Sequence, residues 1–306
     1  MSNSPGIFKL RFLHPRYWLN WLGYFLFWIT VHTPQWSRIR IGAFIGWLGY
    51  YLSPARRHIA DINLKLCFPD MDETERRNLC KRVFRSTGIS SVETAMVWIR
   101  RAADFRHLVT IHGLENLRKA QAEGKGVILL GMHLSTLDLC GAVLSFHTGF
   151  DVMYRRNKNL FLEAVMTRGR QRNFPAAIKR DDVRGLIRNL IKGHIVWYGP
   201  DQDYGKKHSV FAPFYNIETA TITATARIAR ITKSPVITFT HYRKPDGSGY
   251  DVYLSDPLEN YPGDDEIKNA SLVNNLVEAA IARSPEQYLW LHRRFKTRPA
   301  GEPRPY

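Results

Sequence analysis

The chain has 306 residues, 44% of them hydrophobic, so it can bury one large core or two modest ones. Its formal charge of +17 predicts anionic partners, namely nucleic acid, acidic lipid or an acidic carrier protein. Three cysteines, Cys67, Cys80 and Cys140, lack metal-ligand spacing and favour a reducing compartment without disulfides. The sequence has no zinc-finger spacing, RNP-like motif or basic helix with a heptad, so no nucleic-acid partner is expected.

The N-terminal region is strongly hydrophobic. Residues 17–37 carry no charge, and a second uncharged run covers residues 41–53. A bilayer span takes about 20 apolar residues, so the first run is borderline and the second is too short. Both runs are rich in Trp and Tyr, which favour the headgroup region, and no small-x-small cleavage site follows the first. We expect residues 1–53 to be an uncleaved membrane anchor or to lie in the membrane; two buried core helices are the alternative.

Helical and strand patterns alternate after this region. A basic amphipathic helix is predicted at residues 55–66, and Asp72 with Glu75 indicates a capping box that opens a helix reaching about Arg100. A hairpin turn is predicted at residues 244–249. The pattern predicts an α/β fold, a mixed, mostly parallel sheet with helices on both faces, in one domain over residues 54–306. The predicted strands are 108–112, 127–132, 151–154, 195–198, 236–242 and 250–255, and the later helices are 114–123, 136–146, 160–172, 183–192, 220–231 and 267–283.

The most informative segment is residues 126–138, an apolar strand that leads to His133, with Asp138 five residues later. In open α/β sheets, ligand-binding and catalytic residues lie just beyond the carboxyl ends of the strands. Positions five apart in one helix point roughly 140° apart, so we expect a turn from strand to helix, with Ser135 or Thr136 as the N-cap. Asp138 can then reach back to the ring, which gives His133 the parts of an oriented general base. A structural histidine beside a helix-start carboxylate is the alternative.

Three later segments, residues 154–159, 198–205 and 285–298, are expected to line the same edge of the sheet as His133. No Gly-x-Ser-x-Gly elbow is present, so a serine acyl-enzyme is disfavoured, and Cys140 is interpreted as a buried structural thiol. The candidate substrate-binding residues in these segments are Arg155, Arg156, Asn157, Asp201, Gln202, Arg293 and Arg294.

Several of these motifs together resemble the late acyltransferases of lipid A biosynthesis, particularly the Kdo-dependent lauroyl and palmitoleoyl transferases. The similarity covers essentially the whole chain and implies a glycerolipid-acyltransferase-like fold. The motifs are His133-x-x-x-x-Asp138, Tyr154-Arg155, Pro200-Asp201-Gln202, the ending from Gln287 to Pro299, and the opening Leu13-His-Pro-Arg-Tyr-Trp-Leu19.

The resemblance implies an O-acyltransferase at the cytoplasmic face of the bacterial inner membrane. It would move a fatty acyl chain from acyl-acyl carrier protein to a hydroxyl of a phosphorylated lipid A precursor of the Kdo2-lipid IVA type, with no cofactor. His133 would take the hydroxyl proton and Asp138, where relatives often carry Glu, would fix its tautomer. Arg155 would stabilise the oxyanion or hold a phosphate; relatives often have proline at the position of Arg156. Carrier protein and phosphorylated lipid are both anionic, which suits the charge.

Two other functions remain open from the residues alone. A metal-dependent hydrolase could use His133, Asp138, Asp201 and Asp203 as ligands, although no second histidine stands at ligand spacing. A non-catalytic membrane adaptor would explain the charge and the N-terminus but would leave the histidine and its carboxylate unused.

Overall fold

The computed structural model describes residues 6–306. Within this range, helices precede, connect and cover a central sheet. The α-helices are α1 (Trp18–Val31), α2 (Gln35–Leu52), α3 (Pro54–Cys67), α4 (Glu73–Ile99), α5 (Leu114–Ala122), α6 (Leu137–Thr148), α7 (Leu160–Asn173), α8 (Val183–Ile191), α9 (Ala224–Thr232) and α10 (Glu266–Arg283).

The sheet of seven strands is mostly parallel, as predicted. The strands are β1 (Val109–His112), β2 (Val127–Gly131), β3 (Asp151–Tyr154), β4 (Ala177–Lys179), β5 (Ile195–Tyr198), β8 (Val236–Arg243) and β9 (Tyr250–Leu254), and a separate hairpin contains β6 (Ser209–Phe214) and β7 (Ile217–Ile222). The order across the sheet is β1-β9-β8-β2-β5-β3-β4, and only the β8–β9 pairing within it is antiparallel.

Strand β2 lies at the centre of this sheet and is buried along its whole length. Leu129 faces a core cluster that includes Val143 of α6, whereas Ile128 faces a second cluster with Leu186 of α8 and Ile228 of α9. Since both faces of β2 are covered by helices, its uninterrupted apolar sequence is explained, and the predicted α/β architecture with helices on both faces is confirmed.

The β6–β7 hairpin and the short edge strand β4 were not predicted. The predicted helix over residues 220–231 is wrong at its start, because α9 begins after β7 has ended. The two hairpin strands meet at Tyr215 and Asn216, with φ values of +50° and +60°. Two left-handed residues fit the type I′ turn that joins tightly paired strands, and the β-branched residues within 217–222 (Ile217, Thr219, Thr221 and Ile222) were the sequence signal for β7.

The N-terminal helices pack on the rest of the chain through glycines. Gly46 of α2 faces Gly88 of α4 so closely that a Cβ on Gly46 would lie 2.6 Å from the Cα of Arg85. The opposite side of α2 exposes Phe44 and Trp47. Among residues 6–306, no helix combines the length and apolar composition needed to cross a membrane, so the expected transmembrane helix is not found there.

Candidate active site

His133 follows the central strand, two residues beyond the end of β2. Its ring meets the indole of Trp197 edge-on at a centroid distance of 5.6 Å, and its side chain is 23% exposed. Gly131 makes this contact possible, since a Cβ there would overlap the Trp197 ring. The histidine is therefore packed in one orientation while part of its ring remains accessible.

Asp201 orients this histidine. It lies just beyond β5, the parallel neighbour of β2, so the two side chains project from adjacent strand ends. Its carboxylate accepts one hydrogen bond from Nδ1 of His133 at 2.6 Å and another from the His133 backbone N–H at 2.8 Å. The two bonds fix the ring and place the proton on Nδ1, which leaves Nε2 as the free base. The expectation that Asp138 would hold the ring is thus corrected: the orienting carboxylate is Asp201.

The two groups shift each other's pKa. Burial alone lowers the pKa of His133, but the charge and hydrogen bond of Asp201, with a smaller effect of Asp138, outweigh it and raise that pKa above its usual value. Burial raises the pKa of Asp201, but the nearby imidazole and its hydrogen bonds bring it below the usual range. The pair therefore favours an imidazolium beside a carboxylate, the charge state that proton abstraction by His133 creates.

Asp138 lies at the start of α6, as predicted, but its carboxylate accepts a hydrogen bond from Thr94 of α4 at 2.9 Å and another from the Trp98 side chain. The surrounding protein raises its pKa through desolvation, which outweighs the opposing effects of Thr94 and Arg170. Neither Ser135 nor Thr136 caps α6 with its side chain. The Thr136 hydroxyl instead bonds the ring and the carbonyl of His241.

An apolar cavity opens beside Asp138, between α4, α6 and α7. Arg170 lines it: its guanidinium stacks over the Tyr154 ring at 4.8 Å, and its Nη1 is buried without a hydrogen-bond partner among residues 6–306. An unpaired charged donor in a mostly apolar cavity indicates space for an anionic or strongly polar ligand group. Arg170 was not among the site residues predicted from the sequence, although it stands in the basic cluster Arg168-x-Arg170-x-Arg172. The cavity is lined by Val97, Trp98, Leu137, Asp138, Gly141, Phe150, Val152, Met153, Gly169, Arg170, Asn173, Phe174 and Trp197.

The C-terminal segment, residues 285–298, bonds the loops that carry His133 and Asp201. The backbone carbonyl of Gln287 accepts a hydrogen bond from the backbone N–H of Ser135 at 2.6 Å. The Tyr288 hydroxyl donates to the backbone carbonyl of Asp201 at 3.2 Å. Asp203 accepts hydrogen bonds from the backbone N–H and the hydroxyl of Thr297 at 2.8 and 2.9 Å. This segment therefore holds the loop that carries Asp201.

The residues predicted to contact substrate divide into two groups. Arg294 is buried and donates to the Ala220 carbonyl at 2.8 Å, so the structure gives it a structural position and corrects the expectation that it reaches substrate. Asn157 bonds within its own turn, accepting from the backbone N–H of Asn159 at 2.8 Å. Asp201 is also buried, in the dyad with His133. The remaining four keep accessible side chains: Arg155 and Arg156 after β3, Gln202 beside Asp201, and Arg293 near Tyr306.

The ligand set expected for a metal-dependent hydrolase does not assemble. Within residues 6–306, no group of three or more His, Cys, Asp or Glu side chains is placed to hold a metal ion. Asp203, one of the four predicted ligands, is bonded to Thr297 instead. The Cys140 thiol is buried, which raises its pKa, as its interpretation as a structural residue predicts.

Comparison with known proteins places this site in a family. The family model for the bacterial lipid A biosynthesis acyltransferase matches residues 6–297. The lipid A biosynthesis palmitoleoyltransferase of Escherichia coli is 42% identical, over 96% of both chains, and its lauroyltransferase is 40% identical over the full length of both. The lipid A biosynthesis myristoyltransferase of the same organism is 29% identical, over 100% of this chain and 96% of its own. The chain therefore belongs to the bacterial lipid A biosynthesis acyltransferase family.

Proposed function

We propose that this protein transfers a fatty acyl chain from acyl-acyl carrier protein to a hydroxyl group of a phosphorylated lipid A precursor of the Kdo2-lipid IVA type. The observation that carries the proposal is the His133–Asp201 dyad beside the apolar cavity, in a chain similar over its whole length to lipid A acyltransferases. The reaction needs a base for the hydroxyl and room for an aliphatic chain. No cofactor is required, because a thioester is already activated.

The dyad can carry the proton through the whole reaction. Nε2 of His133 takes the acceptor hydroxyl proton while the oxygen attacks the thioester carbonyl, forming the C–O bond. When the tetrahedral intermediate collapses and the C–S bond breaks, the imidazolium returns the proton to the departing thiolate. Asp201 stays ionised and stabilises the imidazolium between the two steps. General base catalysis of this kind is worth about 10²–10⁴-fold in rate.

Arg170 is the side chain placed to meet developing negative charge. Arg170 lines the same cavity as Asp138, and its Nη1 has no hydrogen-bond partner among residues 6–306, so a small movement of this side chain would give an oxyanion there a charged donor. We assign the acyl chain to the apolar cavity and keep Asp138 as a catalytic residue that adds negative charge near His133. Arg155 and Arg156 remain substrate-binding candidates on the exposed loop after β3.

We also propose that the protein works at the cytoplasmic face of the inner membrane, with α1 and α2 against the lipid. On α1 the exposed residues include Trp18, Phe25 and Trp28, and on α2 Phe44 and Trp47. Aromatic side chains of this type favour the membrane interface, and a chain of net charge +17 is attracted to anionic headgroups. Such docking would bring the active site to its lipid acceptor.

The test of the function is a direct acylation assay. Purified wild type and His133→Ala are incubated with a series of acyl-acyl carrier proteins and a tetra-acylated, phosphorylated lipid A precursor, and the lipid is followed by mass spectrometry. We expect the mass of one acyl chain to be gained with wild type and lost with a folded His133→Ala protein. Equal gains in both proteins, or none with any donor, would contradict the proposal.

A further inference from the structure

A second, more open site, which we call the arginine cleft, lies at the C-terminal ends of α4 and α7. Its volume is about 550 Å³, which falls in the range of roughly 300–1,000 Å³ typical of small-molecule sites. Its lining residues are Ile99, Arg100, Arg101, Asp104, Arg168, Gln171 and Arg172.

The charge of the cleft is unbalanced. Four arginines line it against one carboxylate, that of Asp104, which pairs with Arg100 at 3.1 Å. Arg172 is held in place by donating to the Ile99 carbonyl at 2.8 Å. Burial lowers the pKa of Arg172, and so do the positive charges of Arg168 and Arg101. The fold therefore holds like charges together in a concave surface, an arrangement that a bound anion would stabilise.

The cleft and the apolar cavity share the same two helices. Val97 and Trp98 line the cavity, whereas the next two residues of the chain, Ile99 and Arg100, line the cleft. Along α7 the cavity takes residues 169, 170 and 173, and the cleft takes residues 168, 171 and 172. At about 100° per residue the two sets lie on opposite sides of α7, so the helix separates the cleft from the cavity.

The cleft also adjoins the apolar N-terminal helix. Arg100 donates to the carbonyl of Val31, the last residue of α1, at 3.5 Å, and Tyr24 of α1 lies close enough to affect the pKa of Arg172. Positive charge beside the surface that we place against the lipid suits an anion presented from the membrane.

We propose that the arginine cleft binds a phosphate group of the glycolipid acceptor, an inference that rests on the proposed function for its ligand. Guanidinium groups bind phosphate through paired, charge-assisted hydrogen bonds, and Arg101 and Arg168 are exposed and free to turn toward it. A carrier protein would present carboxylates spread over a convex surface. The close grouping of the arginines and their position beside α1, which we place against the lipid, favour a phosphorylated lipid instead.

The test removes two charges from the cleft with Arg101→Gln and Arg168→Gln together. The matched control is Arg184→Gln with Arg188→Gln, two exposed arginines of α8, a helix whose apolar side packs on the opposite face of β2. Thermal unfolding checks that both double variants fold. Equilibrium binding is then measured in detergent micelles, without acyl donor, for the phosphorylated lipid A precursor and its phosphatase-treated form. Acyl carrier protein and inorganic phosphate alone are measured in the same way.

We expect the Kd for the phosphorylated precursor to rise about tenfold or more in the cleft variant, the effect of losing one or two charge-assisted hydrogen bonds. The control pair, the dephosphorylated lipid and the carrier protein should show little change. Equal weakening in both variants, selective loss of carrier-protein binding, or inorganic phosphate binding as tightly as the lipid would each overturn the assignment. Because no acyl transfer is needed for the measurement, failure of the proposed chemistry would be seen separately.

Discussion

Replacing Asp201 with Asn should disable the dyad while leaving its shape almost unchanged. The carboxylate now accepts two hydrogen bonds, from Nδ1 and from the backbone N–H of His133. An amide has only one oxygen, so it can satisfy only one of these donors. If the oxygen faces the backbone, the amide NH2 faces Nδ1 and forces the ring proton to Nε2, where the base is needed. If the oxygen faces Nδ1, two N–H groups are placed against each other.

The loss in rate follows from this geometry. The substituted amide either holds the inactive tautomer or leaves the imidazolium without its counter-charge, and we expect a cost of about 3–5 kcal/mol in the transition state. That corresponds to roughly 10²–10⁴-fold in kcat. The pH profile should change as well. The charge and hydrogen bond of Asp201 raise the pKa of His133 against the effect of burial, so their removal lowers that pKa. Since the neutral ring is the active base, the acid limb of the profile should move to lower pH.

The assay is steady-state acyl transfer over a range of pH, with the His133 ring followed by NMR titration. Asp151→Asn is the matched control, because Asp151 is an equally buried carboxylate that bonds a histidine, His194, at 2.9 Å and lies at the start of β3, at the opposite end of the sheet from His133. We expect it to lower stability but to change kcat little. An Asp201→Asn enzyme with kcat within about threefold of wild type, or with an unmoved acid limb, would refute this account of the dyad.

Three further substitutions test the supporting structure and the membrane surface. Glu93→Ala should lower the free energy of unfolding, measured in urea, by about 3–5 kcal/mol. The buried guanidinium of Arg243 lies 2.6 Å from Glu93 and would lose its counter-charge. A decrease below about 1 kcal/mol would contradict this. Gly46→Leu should force α2 away from Arg85 and lower the free energy of unfolding by about 1–3 kcal/mol or more. An unchanged unfolding temperature would count against the packing described. Trp47→Ser should weaken binding to phosphatidylethanolamine–phosphatidylglycerol vesicles about tenfold without loss of stability, since this side chain is 55% exposed; unchanged vesicle binding would argue against docking through α2.

Local sequence patterns predicted six of the seven strands of the sheet, all but the short edge strand β4. The apolar run before His133 predicted β2, and the turn at residues 244–249 predicted the antiparallel pair β8–β9, because burial on both faces and tight turns each restrict which residues a short segment can hold. The same pattern placed His133 at a strand end. The end of β7 was missed because residues 220–222 were assigned to the following helix, and no element was predicted over β6.

The partners of the site residues depended on the tertiary structure. His133 and Asp201 are 68 residues apart, and they meet because β5 pairs with β2, a choice of neighbour that no local pattern encodes. For the same reason Asp138, five residues from His133, bonds Thr94 of α4 instead. Arg294 looked like a substrate contact but is buried against the β6–β7 hairpin. The sequence determined the types of element and the family, whereas strand order and helix packing decided which side chains came together.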